Sequence, residues 1–118
     1  MMKPLRVIVT GSREWTNKHE MRRVLGGLPP GSTVVHGGAR GADSIADEVA
    51  RELGLEVEVF PADWDQHGKR AGHIRNQQMA DAGADYCLAF PLPGSRGTYD
   101  MMERAERAGI FVSVFSRG

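Results

Sequence analysis

The sequence predicts a three-layer α/β fold, a five-stranded parallel sheet in the order 3-2-1-4-5 with helices on both faces. Three observations predict it. Five short apolar, β-rich runs alternate along the chain with segments whose apolar residues recur every three or four positions. The centres of the first and fourth runs are unbroken apolar, as in strands covered on both faces. Glycine-bearing turns follow the first, second and fourth runs, where an open parallel sheet with right-handed crossovers gathers its ligands.

The elements follow in order. Leu5-Arg6-Val7-Ile8-Val9-Thr10 reads as a central strand ended by Gly11. Asn17 followed by Glu20 resembles a capping box, opening a helix that carries Met21, Val24, Leu25 and Leu28 on one face and stops at Gly26-Gly27 and Pro29-Pro30-Gly31. Thr33-Val34-Val35 is the second strand. Ala42, Ile45, Ala46, Val49, Ala50 and Leu53 then mark one helix face. Leu55-Glu56-Val57-Glu58-Val59 alternates apolar with charged, as an edge strand with one wet face does. Pro61 to Ala71 reads as a long, functional loop. Gly72 to Gly83 is helical but poor in apolar residues, so some of its polar side chains are expected to face a site. Tyr86-Cys87-Leu88-Ala89-Phe90 is a buried strand, Thr98 is expected to cap a helix through Met102, Ala105 and Ala108 to Gly109, and Ile110 to Phe115 is the last strand.

Composition bounds the function. The 118 residues are read as one domain, 1–118, large enough to bury roughly two thirds of its unfolded surface. Fifteen basic and fifteen acidic side chains cancel, so no global positive field draws the chain to nucleic acid or acidic membranes. Cys87 is the only cysteine, and the four histidines lack paired spacing, which excludes a disulfide framework and gives no zinc pattern. Neither a metal nor a resident cofactor is expected. Met1-Met2-Lys3-Pro4 leads straight into the first strand without an apolar leader or span, so a soluble, cytoplasmic protein is expected.

The central feature is His36-Gly37-Gly38-Ala39-Arg40-Gly41-Ala42-Asp43, a strand-to-helix turn. Its glycines allow close approach of a ligand to the backbone, and the following helix offers free N–H groups to an anion. A helix N-terminus contributes roughly 0.3–1 kcal/mol to a nearby anion, whereas an affinity near 10 μM requires about 7 kcal/mol. Arginines must help, and their planar forks suit phosphate. With the order 3-2-1-4-5 the winding reverses between strands 1 and 4, where the turns carrying Gly11, Ser12 and Arg13, then Arg40, then Gly94, Ser95, Arg96, Gly97 and Thr98 are expected to converge. Trp64 or Trp15 is a candidate to stack on a base, and Trp64 equally suits the edge of the core. Asp43 suits ribose hydroxyls and equally suits the helix dipole. No G-x-G-x-x-G, G-x-x-x-x-G-K-[ST] or G-x-S-x-G pattern occurs at the required place, which argues against an ordinary dinucleotide dehydrogenase, a P-loop NTPase and an α/β-hydrolase.

These motifs together resemble the YspA-type branch of the SLOG superfamily. Gly11-Ser12-Arg13, the 36–43 turn, Pro61-Ala62-Asp63-Trp64, Gly72 with Arg75-Asn76 and Met79, and Ser95-Arg96-Gly97-Thr98-Tyr99-Asp100 with Arg104-Ala105 carry the resemblance over nearly the whole chain. It implies a Rossmann-like fold that binds a nucleotide or nucleotide-derived ligand, as a sensor or processing domain. Relatives in that superfamily include LOG phosphoribohydrolases, which cut the N-glycosidic bond of nucleoside monophosphates, and the DNA-processing protein DprA. The LOG comparison implies roles for Arg75 and Asp100 in catalysis, but Asn76 stands in place of its lysine, Met101 stands where its glutamate is found, and Asp100 is one residue early. A DprA-like binder of single-stranded nucleic acid is the other alternative, disfavoured by the neutral charge. Homo-oligomerisation is plausible because LOG relatives associate.

Overall fold

The structure, a computed structural model, describes residues 2–116. Met1, Arg117 and Gly118, at the ends of the expected 1–118 domain, lie outside the described residues. Strands β1 (Arg6–Gly11), β2 (Thr33–His36), β3 (Glu56–Val59), β4 (Tyr86–Phe90) and β5 (Phe111–Val114) form one parallel sheet in the order β3-β2-β1-β4-β5. Helices α1 (Lys18–Leu25), α2 (Ala42–Glu52), α3 (Trp64–His67), α4 (Ala71–Ala82) and α5 (Arg96–Arg107) connect them. The fold is the expected Rossmann-like α/β sandwich.

β1 is central because it is apolar on both faces. Val7 and Val9 meet Trp15, Met21, Leu25 and Val49 from the α1 and α2 side, while Ile8 meets Met79, Cys87, Met101 and Ala105 from the α4 and α5 side. Alternation along one strand thus feeds two cores. Burial pushes the Cys87 thiol up to about 12, so it is an inert packing group. β3 is an edge strand, as its alternating sequence requires, and its Glu58 pairs with Arg6 at 2.5 Å. The Asn17 side chain accepts the Glu20 N–H at 3.0 Å and starts α1.

Two segments differ from expectation. The stretch after Pro61 is not an open loop: Asp63 accepts the Gln66 N–H at 3.0 Å and caps α3, and a 3₁₀ turn, Gly68–Arg70, carries the chain directly into α4. Asp63 is a favoured cap residue, and the signal was masked by Gly68 five residues on. In α5 the cap position is Ser95 rather than Thr98, which is the helix's third residue. The buried face is consequently Thr98, Met101 and Ala105, with Met102 only half-buried and Ala108 exposed.

Candidate functional site

The carboxyl ends of β1 and β4, where the winding reverses, enclose a crevice of about 350 Å³. Ser12 and Arg13 form one wall, the 93–98 turn the other, and Arg75 and Asn76 of α4 close the back. A second lobe of about 430 Å³ continues over the ends of β2 and β3 to Trp64, and the two lobes share Arg13, Ala39 and Arg75. The three expected turns therefore converge, with Arg40 on the second lobe.

The turn after β2 differs from its expected role. Three of its N–H groups are already satisfied by side chains of the protein. Asp43 Oδ2 accepts from Gly37 at 3.0 Å and Ala39 at 3.3 Å, and Gly38 donates to His36 Nδ1 at 3.0 Å. The proton of His36 is thereby placed on Nε2, 2.7 Å from Asp47 Oδ2. The anion seated in this turn is the chain's own carboxylate. Burial pushes the Asp43 carboxyl above the usual aspartate range, against the pull of the two backbone N–H groups and of Arg75.

The glycines here likewise serve the protein's own groups. A Cβ on Gly37 would overlap the Arg75 guanidinium, which lies against the backbone and donates to the Gly37 carbonyl at 2.5 Å. Gly41, at φ +75°, would push a Cβ into the carbonyls of Ser12 and Arg13. Arg40 reaches back across the mouth to Glu14 at 2.7 Å, and both side chains are mostly exposed, so this rim pair contributes little to stability.

Arg75 is half-buried, and burial lowers its pKa against the attraction of Asp43. Its Nε donates to Asn76 Oδ1 at 2.9 Å, and Nη2 has no partner among the described residues. Asn76 is buried and hands the connection on to α5, donating to the Gly97 carbonyl at 3.3 Å and to Asp100 Oδ2 at 3.0 Å. Asp100 also receives Arg104 Nε at 2.9 Å and lies 3.1 Å from His73 Nδ1. Burial pushes its carboxyl up, but the hydrogen bonds from Arg104, Asn76 and His73 outweigh that and hold it below the usual range.

The turn after β4 leaves two backbone N–H groups open at the crevice. Ser95 Oγ closes the turn on itself, donating to the Leu92 carbonyl at 2.7 Å and accepting the Leu92 N–H at 3.0 Å, so its hydroxyl is not the free donor expected. The backbone N–H groups of Gly97 and Thr98, in the first turn of α5, take no acceptor among the described residues. Arg13 and Arg96 are both exposed at this crevice, and neither forms an ion pair among the described residues.

The matches with known proteins agree with this architecture. Residues 5–67 match the YAcAr family, described as the YspA, cpYpsA-related SLOG family. The Gene 61 protein of Mycobacterium phage D29 is 50% identical over 119 residues, covering 93% of this chain and 95% of that protein. The chain belongs to the YspA-related SLOG family. A solved structure of DNA processing protein A (DprA) from Streptococcus pneumoniae superimposes with a TM-score of 0.80 at 20% identity, covering 98% of this chain. That likeness is one of fold, and this chain spans 51% of the DprA chain.

Within this SLOG chain, Gly11, Ser12, Arg13, Asp43, Arg75 and Asn76 line the first lobe together with the whole of 94–98. Gly37, Gly38, Arg40 and Trp64 line the second. Gly41 lines neither and instead lets α2 approach the first turn. Asp100 also stands apart: it lines neither lobe, and its two oxygens are held by α4 and α5. Trp15 is a core residue, 1% exposed and edge-to-face with Phe90, and so is not available to stack on a ligand. Trp64 is 51% exposed. Sequence reasoning missed Thr10, a nearly buried crevice residue whose hydroxyl makes no hydrogen bond among the described residues. The available signal was a polar residue ending an otherwise apolar central strand.

Among the described residues no group of His, Cys, Asp and Glu could hold a metal, and no helix is long and apolar enough to cross a membrane.

Proposed function

We propose that this SLOG chain binds a nucleotide-derived ligand across the carboxyl edge of its sheet, with a phosphate in the first lobe. The observation that carries this is the α5 N-terminus, with two N–H groups free among the described residues, and Arg13 and Arg96, which form no ion pair among them, facing the same crevice. Arg75, whose Nη2 is unbonded among the described residues, stands between the lobes and serves a second phosphate or the sugar. Trp64 offers a stacking surface in the second lobe.

The distance across the sheet favours the larger members of this class. From the turn after β4 to the segment after β3 is three strand spacings, about 14 Å. That exceeds the reach from phosphate to base in a single nucleotide and suits a nucleotide sugar or a related diphosphate.

The geometry favours binding over cleavage. Met101, at the position of the LOG glutamate, is fully buried among Ile8, Val35 and Ala105. Asp100 is committed to Arg104, Asn76 and His73, and a general acid or base must reach the atom it serves. A second reading, single-stranded nucleic acid, draws on half-exposed Trp64 followed by Lys69 and Arg70, neither of which forms an ion pair among the described residues.

A proton NMR time course with AMP, ADP-ribose and NAD in separate tubes tests the proposal. Broadened ligand signals with no new species are expected. Free adenine or nicotinamide would establish glycosidic cleavage and restore Asp100 as a candidate. Sharp signals throughout, with a single-stranded oligonucleotide binding in a steeply salt-dependent way, would replace the proposal by the second reading.

A further inference from the structure

We infer that Asp43 reads the sugar of the ligand, accepting a hydroxyl of the ribose that lies between the first-lobe phosphate and the base, so that the crevice takes ribonucleotide-derived ligands in preference to deoxynucleotide-derived ones. This rests on the nucleotide reading above.

Asp43 is only 6% exposed, yet just one of its oxygens is used. Oδ2 takes both backbone N–H groups of the β2 turn, and Oδ1 takes no hydrogen bond from any described residue. No buried side-chain oxygen or nitrogen among the described residues is closed off without a partner, so Oδ1 retains an opening, and the cavity that Asp43 lines is the first lobe. The two N–H groups fix the carboxyl plane, and the direction of Oδ1 is fixed with it. An acceptor of this kind is costly to bury and leave unmatched.

The chemistry of the missing partner follows from charge and place. A carboxylate repels phosphate, so the group it takes is a neutral donor. A base amino group is the competing donor, but the stacking surface lies in the second lobe, which Asp43 does not line. In the order of the sheet, the α5 N-terminus follows β4, Asp43 follows β2 and Trp64 follows β3. The sugar hydroxyls are the part of a nucleotide that falls between phosphate and base. Thr10 and Thr98, each more than nine-tenths buried, line the same lobe with hydroxyls that make no hydrogen bond among the described residues, and they provide for the second hydroxyl of a vicinal diol.

The test is calorimetric titration of the native protein with AMP and ADP-ribose and with the 2′-deoxy and 3′-deoxy counterparts of whichever binds. At least one deoxy analogue is expected to bind about tenfold more weakly, the loss of one hydrogen bond to a charged acceptor. In Asp43→Asn the two backbone N–H groups retain the amide oxygen and leave the NH₂ facing the crevice, so the preference should shrink to about twofold or less. Thermal unfolding of that variant should match the native protein, since a buried charge is removed while the shape is kept.

If ribo and both deoxy ligands bind the native protein alike, Asp43 does not read the sugar, although the nucleotide reading stands. Full preference retained in a folded Asp43→Asn protein would assign the discrimination elsewhere. If neither AMP nor ADP-ribose binds, both readings fall together.

Discussion

Gly37→Ala separates the two reasons a glycine occupies the turn after β2. Gly37 does not have a positive φ, so alanine meets no backbone strain there. What its Cβ meets is the Arg75 guanidinium, which must swing away. Three hydrogen bonds then break, to the Gly37 carbonyl at 2.5 Å, to Asn76 Oδ1 at 2.9 Å and, at the long limit of 3.5 Å, to the Phe60 carbonyl. Each bond from a charged donor contributes roughly 1.5–3 kcal/mol. The half-buried guanidinium recovers part of that from water in the crevice, so a net loss of about 1–3 kcal/mol is expected. For a domain of this size that lowers Tm by roughly 3–6 °C per kcal/mol. The assay is urea unfolding of a double-mutant cycle with Arg75→Ala. In the Arg75→Ala background Gly37→Ala should cost less than about 0.5 kcal/mol, because nothing remains to collide with. Gly41→Ala provides the contrast, since its φ of +75° and the carbonyls of Ser12 and Arg13 make it costly in both backgrounds. Equal costs for Gly37→Ala in the two backgrounds would refute the assignment of Gly37 to Arg75.

The remaining predictions concern charge, reactivity and fluorescence. Arg13→Ala and Arg96→Ala should each leave stability within about 0.5 kcal/mol, since both are exposed and without ion pairs among the described residues, yet each should weaken a phosphate ligand by roughly tenfold. Asp100 is held below its ordinary pKa, so its contribution is complete above the unfolded value near about 3.9 and is lost as pH falls through the lower folded value. Asp100→Asn should therefore flatten the acid limb of a Tm-against-pH curve, and an unchanged limb would contradict the network. Native Cys87, with its thiol raised to about 12, should resist iodoacetamide at pH 8 and react only on unfolding. Ligand should quench fluorescence from half-exposed Trp64 but not from buried Trp15, so Trp64→Phe should abolish the response.

The sheet was legible because its determinants are local. Unbroken apolar runs at Val7 to Val9 and Cys87 to Phe90 required central strands, and the alternating Glu56 to Val59 required an edge. The side-chain pairings were less legible because they depend on which element arrives nearby. Nothing in the 36–43 stretch indicates that its carboxylate, seven residues after His36, folds back onto the N–H groups of Gly37 and Ala39. Nor does it show that the guanidinium against Gly37 comes from α4. The phase of α5 was misread for a similar reason: Thr98 and Ser95 are both competent caps, and the choice between them settles with Met101 in the core.

The two helix N-termini at the crevice consequently have different tasks. The field of α2 is answered by Asp43, an anion the chain supplies itself. The N–H groups of Gly97 and Thr98 at the start of α5 have no acceptor among the described residues, because Ser95 turns its hydroxyl back to Leu92 and the first acidic side chain of the helix, Asp100, faces α4. An internal carboxylate on one side and the open N–H groups of Gly97 and Thr98 on the other make the crevice polar in a directed sense. A ligand with phosphate at one end and neutral donors in its middle matches that direction, whereas a uniformly charged strand of nucleic acid would bring one of its phosphates against Asp43. Asn76 ties the two walls together, since it holds Arg75 on the β2 turn with its oxygen and the start of α5 with its amide.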